Sequence, residues 1–231
     1  MTLSEKYDQF YASDGERRVL REIAISGWPR NRLEAIVYVP GDGDTILDIG
    51  CGDGLLLYQF RNRYRELIGY EYSTDRLNQA RRNLSDCNFA GFAGSAESME
   101  GIASESIDRI VSADTIEHIP DVYAAASEMY RVLKPGGSLV INTPNIAFIK
   151  KRLLLLIGRF PSTSQPNEGL GSDVLFDGGH LHYFTFRSLS FLLERAGFSV
   201  NGRMGYGQFG RIHDFAPTLL SGGAQLVCKK S

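Results

Sequence analysis

The chain has 231 residues, enough for one sizeable domain that buries most of its apolar surface. Hydrophobic residues make up 43% and charged residues 23% of the sequence, which excludes collagen-like, coiled-coil and wholly disordered proteins. With 25 Lys and Arg against 27 Asp and Glu, the net charge is -2 and gives no overall attraction to nucleic acid or acidic membranes. We therefore expect a single domain spanning residues 1–231, with no nucleic-acid partner.

Cysteine usage and hydropathy predict a cytoplasmic protein. Cys51, Cys87 and Cys228 are an odd number without paired spacing, which argues against a disulfide framework and a cysteine-based zinc site. Residues 1–10 contain no apolar signal core, and the longest aliphatic run, residues 153–157, is far shorter than the ~20 residues that a membrane span needs.

Two helical segments are predicted before the first strand, at residues 3–24 and 30–38. Tyr7, Phe10 and Tyr11 lie on nearly one face of the first segment. We expect residues 1–38 to form N-terminal helices that either pack on the core or cover a ligand as a flap.

The central part of the chain alternates apolar strand-like runs with amphipathic stretches, which is typical of βαβ units in a parallel sheet covered by helices on both faces. Strands are predicted at residues 45–49, 67–72, 89–93, 107–112 and 137–142. Helices are predicted at residues 54–64, 74–85, 96–102 and 122–132. A Pro-Gly-Gly turn at residues 135–137 separates the last helix from the fifth strand.

The pattern changes after Asn145. A helix at residues 146–157, which carries Lys150, Lys151 and Arg152, leads into a Gly/Pro/Ser-rich loop at residues 158–179. We interpret residues 146–183 as an insertion that forms a lid or binds an acceptor. Its cations could receive an anionic ligand group, form a solvated helix face, or lie at a membrane surface.

The C-terminal part returns to regular structure. Ordered chain is expected at residues 181–185, a helix at 188–196, a strand at 198–203 and a final strand at 224–229. The Gly/Ser residues before the final strand predict a late hairpin partner, antiparallel to the rest of the sheet.

The first predicted strand runs into a glycine loop, Gly50-Cys51-Gly52-Asp53-Gly54. Glycine has no Cβ and permits positive φ, so the backbone can approach a ligand closely. A pyrophosphate at such a loop requires bare amide donors, whereas Asp48 and Asp53 place carboxylates there. Leu55 also occupies the place of the third glycine in the dinucleotide fingerprint. The loop therefore favours a cationic ligand over a dinucleotide.

A second carboxylate ends the next strand. Glu71 lies 17 residues beyond Gly54, where it can accept hydrogen bonds from two ribose hydroxyls. The two features together predict a ligand that combines adenosine with a positively charged tail.

These segments resemble the motifs of class I S-adenosylmethionine-dependent methyltransferases. The resemblance implies a doubly wound, seven-stranded, mostly parallel α/β sheet whose last strand is antiparallel, with S-adenosylmethionine as the cofactor. The matching segments are residues 47–54, 69–73, 94–97, 114–121 and 133–137.

By this resemblance, one set of residues contacts the cofactor: Asp48, Gly50, Cys51, Gly52, Glu71, Tyr72, Ser95, Ala96, Asp114 and Thr115. Asp48 and the loop amides would hold the methionine end, and Asp114 and Thr115 would lie beneath the sulfonium. Ser95 departs from the family, which commonly has an acidic residue there to accept from the adenine amino group.

Methyl transfer to a hydroxyl benefits from a general base with a pKa near neutrality, and histidine suits this role. We expect His118, at the carboxyl edge of the sheet, to be catalytic, with His182 as an acceptor contact and His180 a weaker candidate. The alternative for His118 is a hydrogen bond to Glu117 or the backbone. His180 and His182 lack a third ligand at usable spacing, so no metal is expected.

Oxygen is the expected target atom. Methyltransferases acting on amino groups of nucleobases or glutamine carry Asn/Asp-Pro-Pro-aromatic after strand four, whereas this chain has Ala-Asp-Thr-Ile at residues 113–116. The segment 142–145 is interpreted as a turn shaping the acceptor pocket. The acceptor is expected to be a small polar metabolite such as a sugar, a nucleotide sugar or a carboxylate. A noncatalytic methyltransferase-like regulatory partner and an RNA or protein methyltransferase remain alternatives.

Overall fold

The computed structural model describes residues 19–164 and 179–231. In these ranges the strands are β1 Gly43–Ile49, β2 Tyr64–Glu71, β3 Phe89–Ala93, β4 Ile107–Ala113, β5 Leu133–Pro144, β6 Phe198–Met204 and β7 Gly223–Lys230. They form one seven-stranded sheet in the order β3-β2-β1-β4-β5-β7-β6. Neighbours are parallel except at β7, which runs antiparallel to β5 and β6. The predicted doubly wound fold with an antiparallel last strand is therefore confirmed.

Helices connect the strands. They are α1 Arg32–Tyr38, α2 Leu55–Tyr58, α3 Thr74–Asn83, α4 Val122–Val132, α5 Ile149–Leu156, α6 Phe186–Arg195, α7 Ile212–Phe215 and α8 Pro217–Leu220, with a 3-10 turn at Ile116–His118. Side-chain caps define several starts: the Asp121 carboxylate, for example, accepts from the backbone of the first turn of α4. In the described part of the chain, no helix is long and apolar enough to cross a membrane.

The core lies on both faces of the sheet. Adjacent residues of a strand alternate between the two layers, so that Leu47 packs on one side and Ile46 on the other. Ile110 and Val111 of β4 divide in the same way. Burial on both faces explains why the strands are nearly continuous apolar runs in the sequence.

Two predicted helices differ in the structure. Residues 96–102 form turns, since the Met99 N–H donates to the Glu128 carboxylate of α4 and Gly101 has a φ of +84°. The helix predicted at residues 54–64 ends at Tyr58, after which three-residue turn bonds such as Phe60 N to Leu57 O lead directly into β2. A contact with a distant residue thus outweighs the helical pattern at residues 96–102, and short-range turn bonds outweigh it after Tyr58.

Only part of the two predicted N-terminal helices lies in the described residues. Residues 1–18 lie outside the described residues, as do residues 165–178 of the predicted loop. Residues 19–24 are not helical, which corrects the end of the first predicted helix. The Ile23 N–H donates to the Gln59 side chain at 2.8 Å instead of to a helical carbonyl. The second predicted helix is present as α1, capped by Asn31.

The sheet has a switch point beside β1. The chain leaves β1 toward β2 on one side, and β4 later pairs with the other side. In open α/β sheets, ligands bind outside the carboxyl ends of the strands at such a point. The loops after β1, β2 and β4 meet there.

Candidate active site

The glycine loop after β1 has a backbone that requires glycine. Gly50, Gly52 and Gly54 have φ values of +77°, +54° and +84°, which L-residues rarely adopt. A Cβ at Gly50 would collide with the Thr115 hydroxyl, and one at Gly52 would collide with the Arg76 guanidinium. The bare backbone borders a cleft of about 940 Å³.

Glu71, the last residue of β2, holds this loop in place through its carboxylate. Its Oε2 accepts from the Gly52 N–H at 2.8 Å, and its Oε1 accepts from the Ser73 N–H at 3.0 Å. Each carboxylate oxygen retains a second lone pair for a further donor. Glu71 can therefore shape the loop and receive a hydroxyl in the same cleft.

Asp48 is a buried carboxyl with an unsatisfied oxygen. Its side chain belongs to a residue that is 2% exposed, and Oδ1 has no hydrogen-bond partner among the described residues. Burial raises the pKa of Asp48 to about 8; Glu71 and Asp53 add to this effect, while Arg76 opposes it. A buried carboxyl in such surroundings is satisfied by a cationic group of a ligand.

The loop after β3 supplies a carboxylate that sequence reasoning did not assign. The Ser95 hydroxyl donates to Glu97 Oε2 at 2.9 Å, and Glu97 Oε1 accepts from the Asp121 N–H at 2.6 Å. Both residues line the cleft together with Ala96. The acidic group that Ser95 lacks is thus present two residues later.

The segment after β4 closes the other side of the glycine loop. Asp114 has a φ of +50°, and its Oδ2 lies 3.0 Å from Arg32 Nη1. Burial raises the pKa of Asp114 to about 6, with Arg32 opposing the shift. The Thr115 hydroxyl donates to the Ile49 carbonyl at 3.0 Å, so Thr115 joins the end of β4 to the end of β1.

Glu117 is a buried acid that precedes the cleft-lining His118 in the chain. It is 1% exposed, and its Oε2 accepts from the Thr143 hydroxyl at 2.9 Å. Burial raises the pKa of Glu117 to about 8, and the charge of Asp114 adds to the effect. Its backbone carbonyl accepts from the N–H groups of Leu181 and His182 at 2.8 and 3.1 Å. Glu117 therefore also holds the end of the predicted insertion beside the cleft.

The structure shows which of the candidate histidines border the cleft. His118 and His180 both border the cleft, with ring centroids 4.6 Å apart and an interplanar angle of 86°. His182 lies outside it, where its Nε2 is 3.1 Å from the Pro120 carbonyl oxygen. Residues 180–182 do not form a strand. His182, the expected acceptor contact, is thus not among the residues that line the cleft, whereas His180 is.

The structure brings most of the predicted residues together. The ten expected cofactor contacts and His118 border the same cleft: Asp48, Gly50, Cys51, Gly52, Glu71, Tyr72, Ser95, Ala96, Asp114, Thr115 and His118. Sequence reasoning missed Arg32 and Arg76, which also line it. Their signal was indirect, because several buried carboxylates in one site require compensating cations.

Two basic side chains of α5 donate hydrogen bonds to backbone carbonyls. Lys151 donates to the Ser162 carbonyl, and Arg152 Nε donates to the Ala147 carbonyl at 2.6 Å. No residue of α5 is buried, and Leu155 and Leu156 are exposed. Two of the three cations, for which an anionic ligand group was one of three alternatives, therefore contact the chain's own backbone.

The fold and the cleft are similar to those of class I S-adenosylmethionine-dependent methyltransferases. The strand order, the glycine loop at the switch point and the carboxylates that end β2 and flank the loop are the features of that class. Residues 47–141 match the family model described as a methyltransferase domain.

Named relatives agree with this assignment. A "Ubiquinone biosynthesis O-methyltransferase" of Paracidovorax citrulli is 28% identical over 160 residues, covering 67% of this chain and 64% of that protein. A protein of the same name from Brucella anthropi is 32% identical over 108 residues, covering 46% and 43%. The chain spans 48–64% of the length of the first curated relatives that it matches.

Solved structures show the same fold. An S-adenosylmethionine-dependent methyltransferase from Mesorhizobium loti superposes with a TM-score of 0.64 at 18% identity. The match covers 85% of this chain and 95% of that chain.

Proposed function

We propose that this protein transfers a methyl group from S-adenosylmethionine to an oxygen of a small polar metabolite, such as a sugar, a nucleotide sugar or a carboxylate. One observation carries the proposal: the buried, unpartnered oxygen of Asp48 beside the glycine loop. A cofactor with an ammonium group and a sulfonium centre suits a cleft whose wall is rich in carboxyl groups. A pyrophosphate would be repelled there.

The residues fit this cofactor from one end of the cleft to the other. Asp48 and the loop amides would hold the methionine end, and Glu71 with Tyr72 would take the ribose. Ser95 and Ala96, supported by Glu97, would border the adenine. When bound, the cofactor supplies a methyl group: the acceptor oxygen bonds to the methyl carbon, the C–S electron pair stays on sulfur, and the acceptor proton is released.

The acceptor end would be formed by His118 and His180. The Gly179 carbonyl can only accept, so His118 Nδ1, 3.0 Å away, donates to it. Thr163 and Ser164 also border the cleft. This placement supports a role of residues 146–183 as an acceptor-binding insertion.

Oxygen is favoured over nitrogen by the segment after β4. Residues 113–116 lack the Pro-Pro-aromatic pattern, and the relatives from P. citrulli and B. anthropi are named O-methyltransferases. The net charge of -2 disfavours an RNA acceptor. We place the protein in the cytoplasm as part of the same proposal.

The noncatalytic alternative is less well supported. It depends on Ser95 replacing the usual acid and on the lack of an evident base. The Ser95–Glu97 pair supplies an acidic group in the cleft, and two histidines lie at its acceptor end.

Two measurements test the proposal. Calorimetry with S-adenosylmethionine and S-adenosylhomocysteine should give saturable binding; no heat with either would refute the cofactor assignment. Radiolabelled S-adenosylmethionine should then transfer its methyl group to hydroxyl compounds in a panel of sugars, nucleotide sugars and hydroxy acids. Binding without transfer to any of them would favour the noncatalytic regulatory partner.

A further inference from the structure

Glu117, His118 and His180 come from two distant parts of the sequence and meet at the acceptor end of the cleft. We propose that they form a binding site for one divalent transition-metal cation. The site is separate from the residues assigned to the cofactor.

The spacing of the three side chains suits a shared ion. One potential ligand atom from each lies within 4.8 Å of the others. Glu117 Oε1 and His180 Nε2 are 4.0 Å apart, which is too long for a hydrogen bond. Two ligands that each lie ~2.0–2.1 Å from one ion are ~3.4 Å apart in tetrahedral geometry, and small side-chain rotations bring this pair into that range. The gap therefore has room for a cation.

Each proposed ligand is held by a second contact on its other atom. His118 Nδ1 pairs with the Gly179 carbonyl at 3.0 Å, and His180 Nδ1 pairs with the Thr163 hydroxyl at 2.6 Å. Both contacts are made through Nδ1, and His180 Nε2 lies 4.0 Å from Glu117 Oε1. Metal-ligating histidines are commonly oriented in this way through the second ring nitrogen.

The carboxylate provides an independent indication. Thr143 donates to Glu117 Oε2, whereas Oε1 is buried and has no hydrogen-bond partner among the described residues. Arg32, the nearby guanidinium, pairs with Asp114 instead. A buried carboxylate oxygen without a donor is a costly arrangement, which a bound cation would relieve.

Two imidazoles and one carboxylate suit Zn²⁺, Mn²⁺, Fe²⁺ or Co²⁺ better than Ca²⁺ or Mg²⁺, which prefer oxygen ligands. Three protein ligands leave coordination positions for another molecule. Because His118 and His180 border the cleft, those positions face it.

The role of the ion rests on the proposed function. A hydroxyl oxygen of the acceptor would occupy an open position, where the cation lowers the pKa of the hydroxyl. The proton then leaves to solvent, and the oxygen lone pair forms the bond to the methyl carbon. An acceptor with two adjacent hydroxyls would chelate the ion, so the site selects vicinal diols.

Metal binding can be measured without any methyl transfer. The whole chain, freed of metal by a chelator, is titrated with Zn²⁺ by calorimetry and with Co²⁺ by visible absorption, which reports nitrogen and oxygen coordination. We expect one ion per chain. Glu117→Gln and His180→Gln should each weaken binding at least ~100-fold, since loss of an outer contact alone costs ~10–100-fold. The matched control, His182→Gln, removes a nearby imidazole outside the cleft and should bind both ions like the unmodified chain.

Folding and cofactor binding are followed in the same samples. Zn²⁺ should raise the Tm of the unmodified chain and of the His182 variant, but not that of the Glu117 and His180 variants. Absence of saturable binding in the unmodified chain, or equal losses in the His180 and His182 variants, would overturn the metal site. Cofactor calorimetry is separate: a chain that binds Zn²⁺ but not S-adenosylhomocysteine keeps the metal site and loses the proposed function.

Discussion

Replacing Asp48 with Asn removes a buried ionisable group while keeping the shape of the side chain. The pKa of Asp48 is raised to about 8 in the folded protein. The protonated group therefore contributes its full stabilisation at pH values below ~4, the pKa of Asp in the unfolded chain. That stability is lost as the pH rises toward 8. pH 7 lies about three pH units above the unfolded pKa, and each unit lowers the free energy of unfolding by ~1.4 kcal/mol. The loss at pH 7 is therefore ~4 kcal/mol. Asn does not titrate, so the variant should be more stable than the unmodified chain by up to ~4 kcal/mol at pH 7.

The same substitution should weaken cofactor binding. Loss of a charge-assisted contact to the cofactor ammonium costs ~1–3 kcal/mol, or ~5–150-fold in Kd. In the unmodified chain at pH 7, Asp48 is mostly protonated and must ionise when the cation binds. Calorimetry in buffers of different ionisation enthalpy should therefore detect nearly one more proton released than for Asp48→Asn.

Urea unfolding at pH 4 and pH 8 gives the stability difference between the two proteins, in which contributions from the other acids cancel. The groups that act on Asp48 are Glu71, Asp53 and Arg76, and both proteins retain them. A variant that is less stable at pH 8, or that binds S-adenosylhomocysteine with unchanged affinity and proton release, would refute the assignment of Asp48.

Three other substitutions probe neighbouring features. Glu71→Gln should weaken S-adenosylhomocysteine binding by ~1–3 kcal/mol, since Gly52 and a ribose hydroxyl lose their carboxylate; an unchanged Kd in calorimetry would contradict the role. Gly52→Ala should lower affinity and stability together, because its φ of +54° and the contact with Arg76 both oppose a Cβ; a stability like that of the unmodified chain would count against it. Phe60→Ala, at a fully buried position, should cost ~3–5 kcal/mol of unfolding free energy, measured in urea.

The strands and the glycine loop could be predicted because their signals are local. Apolar runs buried on both faces mark the strands, and the backbone at Gly50 and Gly52 admits little but glycine. The carboxyl edge of the sheet then places Asp48, Glu71 and Asp114 together, whatever the details of the loops.

The acceptor end could not be predicted in the same way. His180 and His182 are separated by one residue, and no periodicity decides which of them faces the cleft. That choice is made by the carbonyl of Glu117, which fixes the backbone of Leu181 and His182. Likewise, residues 96–102 have a helical pattern but are held in turns by Glu128. Contacts between distant residues decide both cases.

The position of β7 in the sheet has a consequence for synthesis. β6 pairs with β7, which in turn pairs with β5. On the ribosome, β6 emerges before the strand that will attach it, so the edge of β5 stays open until residues 223–230 have left the exit tunnel. An open strand edge invites pairing with other chains. Nascent chains that stall before this point should therefore be the most prone to aggregate.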